Sequence, residues 1–574
     1  VLEKLLLKNE TQGGSFTYVN RQRREMERNQ SKLMNFLLGV RHHKFVNSLV
    51  CFLKSPLVLF SIVLLVSAYC KLLALNSREL WLDETYSAFV ANLPFGELSR
   101  HLAGEYNPPL YYLFLWGWVR VVGDTQAQLR LFSVVINICS IPGMYVMARR
   151  TLGTRSSAFA AALFALSPML FVYSMVVRNY TLFIFFLVCL LIVHWAVAVE
   201  QREEKWLVCA YAILAALLFY INYLGIFILL GLCVHWVIVS GFVRNRIVRL
   251  CATGILIILF TAPGIPSLLE RNSLKSNLHQ ALVLSHQDPR ALSFGIPTQE
   301  ANEASGAGIG DAVKSVAAAA GFYPSSSSLV LLLCAVPLAV ALAGVGFLGL
   351  VAGDEVCRLF VVLLIAVGIG LASLHLYATR YMLPLVPLLV LAIASTIRYG
   401  AAMPRWRRLS LAVGTLILCL YAAGFSRQAF MRHGRPWQNL VSIVQQKYRP
   451  GDQVIFDVLY SQVPFDYFAR HAHFKPQESG FPFSIYDWWD KQSNKAWGGP
   501  VILQSDLDQF ISGLSASKSK TLWLVLYETY YYDPHNALLA RLRQLGQVTE
   551  VSLPPDRDTT SSQEALRLIR ITIH

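Results

Sequence analysis

Eleven stretches of about 18 to 22 mostly apolar residues recur along this chain, each long enough to cross ~30 Å of hydrocarbon as a helix. They cover 56–75, 128–147, 156–173, 180–199, 206–222, 224–242, 249–266, 328–350, 358–375, 381–398 and 409–425. A segment inside a bilayer finds no water for its backbone, so it must close its own hydrogen bonds as a helix or join a sealed barrel. Continuous apolar runs of this length select the helix. The 574 residues are 55% hydrophobic and 15% charged, the balance of a polytopic membrane protein.

The net charge of +16 sits largely in short loops between the apolar runs. That placement points to membrane orientation and anionic lipid, not to nucleic acid. Arg149/Arg150/Arg155, Arg202/Lys205, Arg244/Arg246/Arg249, Arg358 and Arg398/Arg405/Arg407/Arg408 follow alternate spans. If those loops are cytoplasmic, so is the N-terminus, with Arg41, His42, His43 and Lys44. Leu110 to Val122 is apolar but too short for a comfortable span. Counting it as one would turn the arginine-rich loops outward. It is therefore read as an interfacial helix, rich in Tyr and Trp.

Three parts follow: a basic cytoplasmic arm over 1–55, a membrane domain over 56–425 and an exported domain over 426–574. The first apolar run lacks a small-residue cleavage site and reads as a retained span. The outer face receives 76–127, Arg178, Asn222/Tyr223, the loop 267–327, His375 to Arg380, and everything after 426. Within that loop, 298–320 is rich in Ala, Gly and Ser and reads as mobile.

The ten cysteines are scattered, mostly within apolar runs, and none lies in 426–574. They read as small buried residues, and the exported domain has no disulfide. From 426 the pattern changes. Gln453–Val458, Pro500–Leu503 and Thr521–Tyr527 read as buried strands. Trp437–Lys447, Ser461–Arg470, Leu507–Leu514 and Asn536–Leu545 read as helices. Their alternation predicts a small α/β domain with a mostly parallel sheet. The triplets Asp506-Leu-Asp508 and Asp556-Arg-Asp558 are short and commonplace, and Asp506 is better read as a helix N-cap.

Four groups gather on the outer face. They are Asp83/Glu84 with His101 and Glu105; Asn107-Pro108-Pro109-Leu110-Tyr111-Tyr112; Arg178-Asn179-Tyr180; and His375-Leu-Tyr377-Ala-Thr-Arg380-Tyr381. Each has a plain structural reading. Asp83 can cap a helix or pair with Arg78. Arg178 and Arg380 can anchor to lipid phosphate. The tyrosine run can be an aromatic belt, and His101 and His375 can be structural. Brought to one face by a topology derived without them, they read as a site. A carboxylate can take a hydroxyl proton, and arginines just inside the leaflet can hold a lipid phosphate. Together they suit transfer of a sugar from a polyprenyl-phosphate-linked donor.

LWLDETYSAFVA, YNPPLYYLFLW with GDTQAQLRLFSVV after it, SMVVRNYTLF and ATRYMLPLVPLL resemble the GT-C membrane glycosyltransferases over roughly 56–400. The groups in question are the protein O-mannosyltransferases and the lipid A aminoarabinose transferases. The resemblance implies a catalytic acid in the first outer loop, juxtamembrane helices, a polyprenyl-phosphate sugar as donor and inversion at the anomeric carbon. By motif, Asp83 matches the catalytic Asp, and Glu84 assists or orients it. Arg178 and the Arg380-Tyr381 pair fall where such enzymes contact the donor or shape its pocket, with Tyr180, His375, Glu105, His101 and Tyr111 as further substrate-binding candidates. No cofactor is required, although a divalent metal at Asp83, Glu84 and His101 stays open. The partners implied are the donor, the bilayer and an acceptor glycolipid, polysaccharide or protein. The location is a bacterial inner membrane with the C-terminal domain outside. An oligosaccharide polymerase or ligase, or a lipid or sugar transporter, is the alternative. The sequence names neither the sugar nor the acceptor.

Overall fold

The structure, a computed structural model, describes residues 55–105, 107–241, 243–266, 269, 291–293, 344, 347–348, 351–373, 379–430, 434–487, 502–516, 521–529, 533, 535–554 and 565–573. The described chain divides between Ile62 and Val63 into two units. The site lies wholly in the second.

The membrane part is helical. It comprises α1 (Pro56–Leu73), α2 (Leu82–Asn92), α3 (Phe95–Gly104), α4 (Leu110–Val122), α5 (Gln126–Leu152), α6 (Thr154–Ala165) and α7 (Pro168–Ser174). There follow α8 (Tyr180–His194, ending in a π-helical turn Trp195–Val199), α9 (Lys205–Ile221), α10 (Gly225–Ser240) and α11 (Arg244–Thr261). Then come α12 (Glu355–Ser373), a 3-10 stretch Thr379–Leu385, α13 (Val386–Ala402) and α14 (Arg407–Phe430). Seven of the described helical segments are long and apolar enough to cross a membrane, or eight if α6 and α7, bent by 49° at Ser167, make one span. Helices α9 and α10 are shorter apolar helices, as is α4. The expected span 328–350 and the loop 267–327 lie almost entirely outside the described residues.

Helix α13 is buried along 386–395, and α5 and α8 are buried along one side or more. Helices α11 and α14 instead expose Ile255, Ile258, Leu259, Leu409, Leu411 and Leu416. An apolar helix exposed in this way suits a lipid-facing position. The fold expectation holds: a polytopic helical bundle with a C-terminal α/β region.

That region contains α15 (Trp437–Lys447), α16 (Gln462–His471), α17 (Gln504–Ala516) and α18 (Ala537–Leu542). Its strands are β2 (Gln453–Asp457), β3 (Gln477–Gly480), β5 (Thr521–Leu526), β6 (Gly546–Val551) and β7 (Arg567–Ile573), ordered β3-β2-β5-β7-β6. Pairs β2/β3 and β2/β5 are parallel, whereas β5/β7 and β6/β7 are antiparallel, so the sheet is mixed. The segment expected as a third core strand gives only β4 (Ile502–Leu503), paired with β1 (Ala291–Ser293) outside the main sheet. Asp506 is not an N-cap. It sits in the first turn of α17 and accepts from the Leu503 amide at 2.8 Å, the back-reaching half of a capping box. Asp556 and Asp558 lie outside the described residues.

Candidate active site

Asp83 and Glu84 occupy the first turn of α2, where the helix dipole favours negative charge. Neighbours on a helix point ~100° apart, and that angle sends the two carboxylates into different surroundings. Glu84 turns inward and is fully buried. Its Oε2 meets the Arg130 guanidinium at 3.3 Å and the Trp81 amide at 3.3 Å. Its Oε1 accepts from the Val177 amide at 3.0 Å and lies 3.8 Å from Arg78. Every one of these contacts holds the frame. Glu84 ties α2 to α5 and to the link before α8. Arg130 strengthens the tie by also binding the carbonyls of Leu75, Arg78 and Glu79.

Asp83 turns the other way. Its Oδ2 lies 3.9 Å from the Arg178 guanidinium, with side chains 28% and 15% exposed. The link carrying Arg178 is fixed on three sides. Glu84 holds the Val177 amide, Ser133 holds the Val176 carbonyl at 2.9 Å, and Asn179 bonds the Ile221 carbonyl at 2.8 Å. Burial works against charge on Arg178, but Asp83, Tyr112, Tyr180 and Glu105 outweigh it and push its pKa well above the ordinary value. Its Nη1 has no hydrogen-bond partner among the described residues, and neither has the buried Tyr111 hydroxyl. A charged donor left unpaired in a buried place can hold an anion.

Arg380 and Tyr381 begin the 3-10 stretch before α13. The guanidinium donates to the Tyr381 hydroxyl at 3.3 Å and stacks 5.1 Å from its ring. Arg178, Arg380, Asp83 and Tyr381 all lie within electrostatic reach of Tyr180. So Asp83, Arg178, Tyr180, Arg380 and Tyr381, far apart in sequence, do converge. His375 lies outside the described residues, as does Tyr377.

His101 and Glu105 come together one step away, around Tyr86. The Tyr86 hydroxyl lies 2.7 Å from His101 Nε2 and bonds Glu105 Oε2. Glu105 Oε1 accepts from the Asn107 side chain at 2.9 Å. Burial first, then Glu105, raises the Tyr86 pKa, and burial raises those of Tyr111 and Tyr112. All three phenols therefore remain neutral hydrogen-bond donors. Asp83, Glu84 and His101 do not meet. Among the described residues no group of three His, Cys, Asp or Glu gathers as a metal site. The tyrosine run is not only a belt, since Tyr111 and Tyr112 are 2% and 1% exposed and face the protein.

Sequence reasoning missed Tyr86 and Arg130 as parts of this arrangement, while Tyr112 stood within the tyrosine run it singled out. Tyr86 had a faint signal, standing three residues after Asp83 and so on the same helical face. Arg130 lies near the start of the span expected over 128–147 and inside the motif GDTQAQLRLFSVV, but nothing in the sequence tied it to Glu84.

This helical frame, with an acidic pair opening α2 and a C-terminal α/β region, shares the fold of solved GT-C membrane enzymes. Residues 106–264 match the family described as dolichyl-phosphate-mannose-protein mannosyltransferase. No protein of curated function matches the chain by sequence. ArnT from Cupriavidus metallidurans in the apo state superposes with a TM-score of 0.54 at 13% identity, covering 90% of this chain and 97% of that one. The same protein bound to undecaprenyl phosphate gives 0.55 at 14% identity, with the same coverage. The Archaeoglobus fulgidus oligosaccharyltransferase, in complex with zinc and sulfate, gives 0.50 at 12% identity, covering 85% and 72%.

Proposed function

We propose that the protein transfers a sugar from a polyprenyl-phosphate-linked donor to a hydroxyl acceptor at the outer face of the membrane. One observation carries the reading: the Asp83 carboxylate stands beside the buried Arg178 guanidinium, which keeps one nitrogen unpaired. It is supported by the ArnT structure of like fold, which is bound to undecaprenyl phosphate.

Asp83 takes the proton of the acceptor hydroxyl as its oxygen attacks C1 of the sugar. The bond from C1 to the phosphate oxygen breaks, and the lipid phosphate leaves with the bonding electrons. Attack from the face opposite the leaving group inverts C1. Arg178 and Arg380 meet the charge growing on the phosphate, and Tyr111 and Tyr381 offer further donors. Arginine alone supplies this charge, so the reading requires no metal or other cofactor. The acceptor is a glycolipid, a polysaccharide or a protein.

The test is release of free polyprenyl phosphate by the reconstituted full chain from a panel of such donors, for wild type and Asp83→Asn. Release by wild type, with the variant slower by roughly 10²–10⁴, supports donor class and base together. Equal release by both keeps the donor and removes Asp83 as the base. No release from any donor, with acceptor extract present, sinks the reading.

A further inference from the structure

All the groups named in the site come from the membrane part of the chain. The C-terminal region nonetheless grips the helix that carries Asp83. Helix α16 packs directly on α2. At the far end of α2, Asp124 is the meeting point. Its Oδ2 accepts from Asn92 at 3.0 Å and from Arg470 at 2.6 Å. Its Oδ1 lies 3.4 Å from His471 Nε2, and its backbone carbonyl accepts from the Tyr467 hydroxyl at 2.9 Å. The other nitrogen of His471 faces the Tyr467 carbonyl at 2.9 Å. With acceptors at both nitrogens, the ring satisfies both only as imidazolium. Arg120 meanwhile binds the closing carbonyls of α2, those of Ala91, Asn92 and Leu93.

Two further contacts brace the same helix. The Phe89 ring lies 5.4 Å from that of Tyr486. Just before α2, the Gln438 amide donates to Glu79 at 3.0 Å. Helix α2 is therefore held at both ends and along one face by 434–487. An 11-residue helix is ~16 Å long. A pivot of about 4° at Asn92 would move Asp83 by roughly 1 Å, and a 1 Å misplacement can cost about 10²-fold in rate.

We propose that Asp124, clamped by Arg470 and His471, is a positioning residue that sets the pose of α2 and so of the Asp83 carboxylate. The inference rests on the reading of Asp83 as the base. It gives the C-terminal region a role in turnover without a reacting group. It also ties turnover to pH. Asp124 is held down at about 2, chiefly by its bond from His471, while that bond raises the pKa of His471. The groups facing the imidazolium are Asp124, Arg470, Tyr467 and, through Asp124, Asn92. The doubly bonded ring persists below the raised His471 value and is lost as pH climbs through it. The Arg470 contact remains above it.

The experiment uses the full chain in lipid nanodiscs and an undecaprenyl-phosphate sugar that wild type turns over. Asp124→Asn, Arg470→Gln, His471→Gln and the swap Asp124→Arg with Arg470→Asp are compared for kcat, KM and amide exchange over 82–92. Asp124→Asn is expected to lower kcat by about 10- to 100-fold with KM within about twofold, and to speed exchange in α2. The swap should recover part of the loss. The wild-type kcat should fall as pH rises through the His471 value, and His471→Gln should lack that limb. Wild-type kcat in Asp124→Asn, or a loss confined to KM, overturns the proposal while leaving the glycosyl-transfer reading intact. A wild type that releases no lipid phosphate from any donor overturns both.

Discussion

At the scale of single residues, the acidic pair divides its labour by helical angle. Asp83 was legible as a candidate because a carboxylate beside a membrane is costly and needs a reason. The role of Glu84 was only half legible, because a sequence does not say which neighbour of a pair turns inward. The structure turns it toward Arg130, Arg78 and the Val177 amide. Glu84→Ala therefore leaves the fully buried Arg130 charge without its counter-ion. We expect a loss of about 3–5 kcal/mol, read as a lower Tm in detergent. Glu84→Gln should lose less, since it still offers an acceptor oxygen to the Val177 amide. A Tm unchanged in Glu84→Ala would show that the buried pair adds nothing to the frame. Arg178 and Arg380 were legible by position at span ends. Their convergence on Tyr180 was not, because it depends on how α8 meets the turn before α13.

At the scale of elements, length and periodicity served well where the pattern was strong. Leu110 to Val122 forms a helix of that extent, and Trp437 to Lys447 does likewise. The core strands β2 and β5 are wholly buried and read directly from apolar runs. Strands β3 and β6 carry polar residues on a half-exposed edge, so no apolar run marked them. The C-terminal end of β2 adds a consequence of burial. Asp457 is fully buried near Asp533, whose oxygens accept the amides of Ala537 and Leu538 at 2.7 and 3.0 Å. Burial first, then Asp533, pushes the Asp457 pKa well up. A carboxyl so raised is protonated in the fold and ionised in the unfolded chain. The folded state binds the extra proton, so stability is full below the ordinary carboxylate range and declines as pH rises toward the folded value. Asp457→Asn removes that decline. The Tm gain of this variant over wild type should grow between pH 5 and pH 8 in thermal unfolding of the full chain. A gain independent of pH would show that Asp457 is not held protonated.

At the scale of the whole molecule, the parity of basic loops predicts orientation. A reporter active only outside the cytoplasm should work when fused after residue 487 and fail within 403–406. The opposite pattern would invert the topology and move Asp83 to the inner face, away from an external acceptor. The sequence by itself determined the membrane class, most span positions and the candidate base, because hydrocarbon thickness and the cost of unpaired backbone leave few choices. Tertiary structure alone decided that Arg178 lies against Asp83 across 95 residues of chain, that Glu84 is a brace, and that Arg470 and His471 reach Asp124. Such contacts between distant residues arise from how helices pack, and no local pattern of apolar and polar residues encodes which charged side chains packing will bring together.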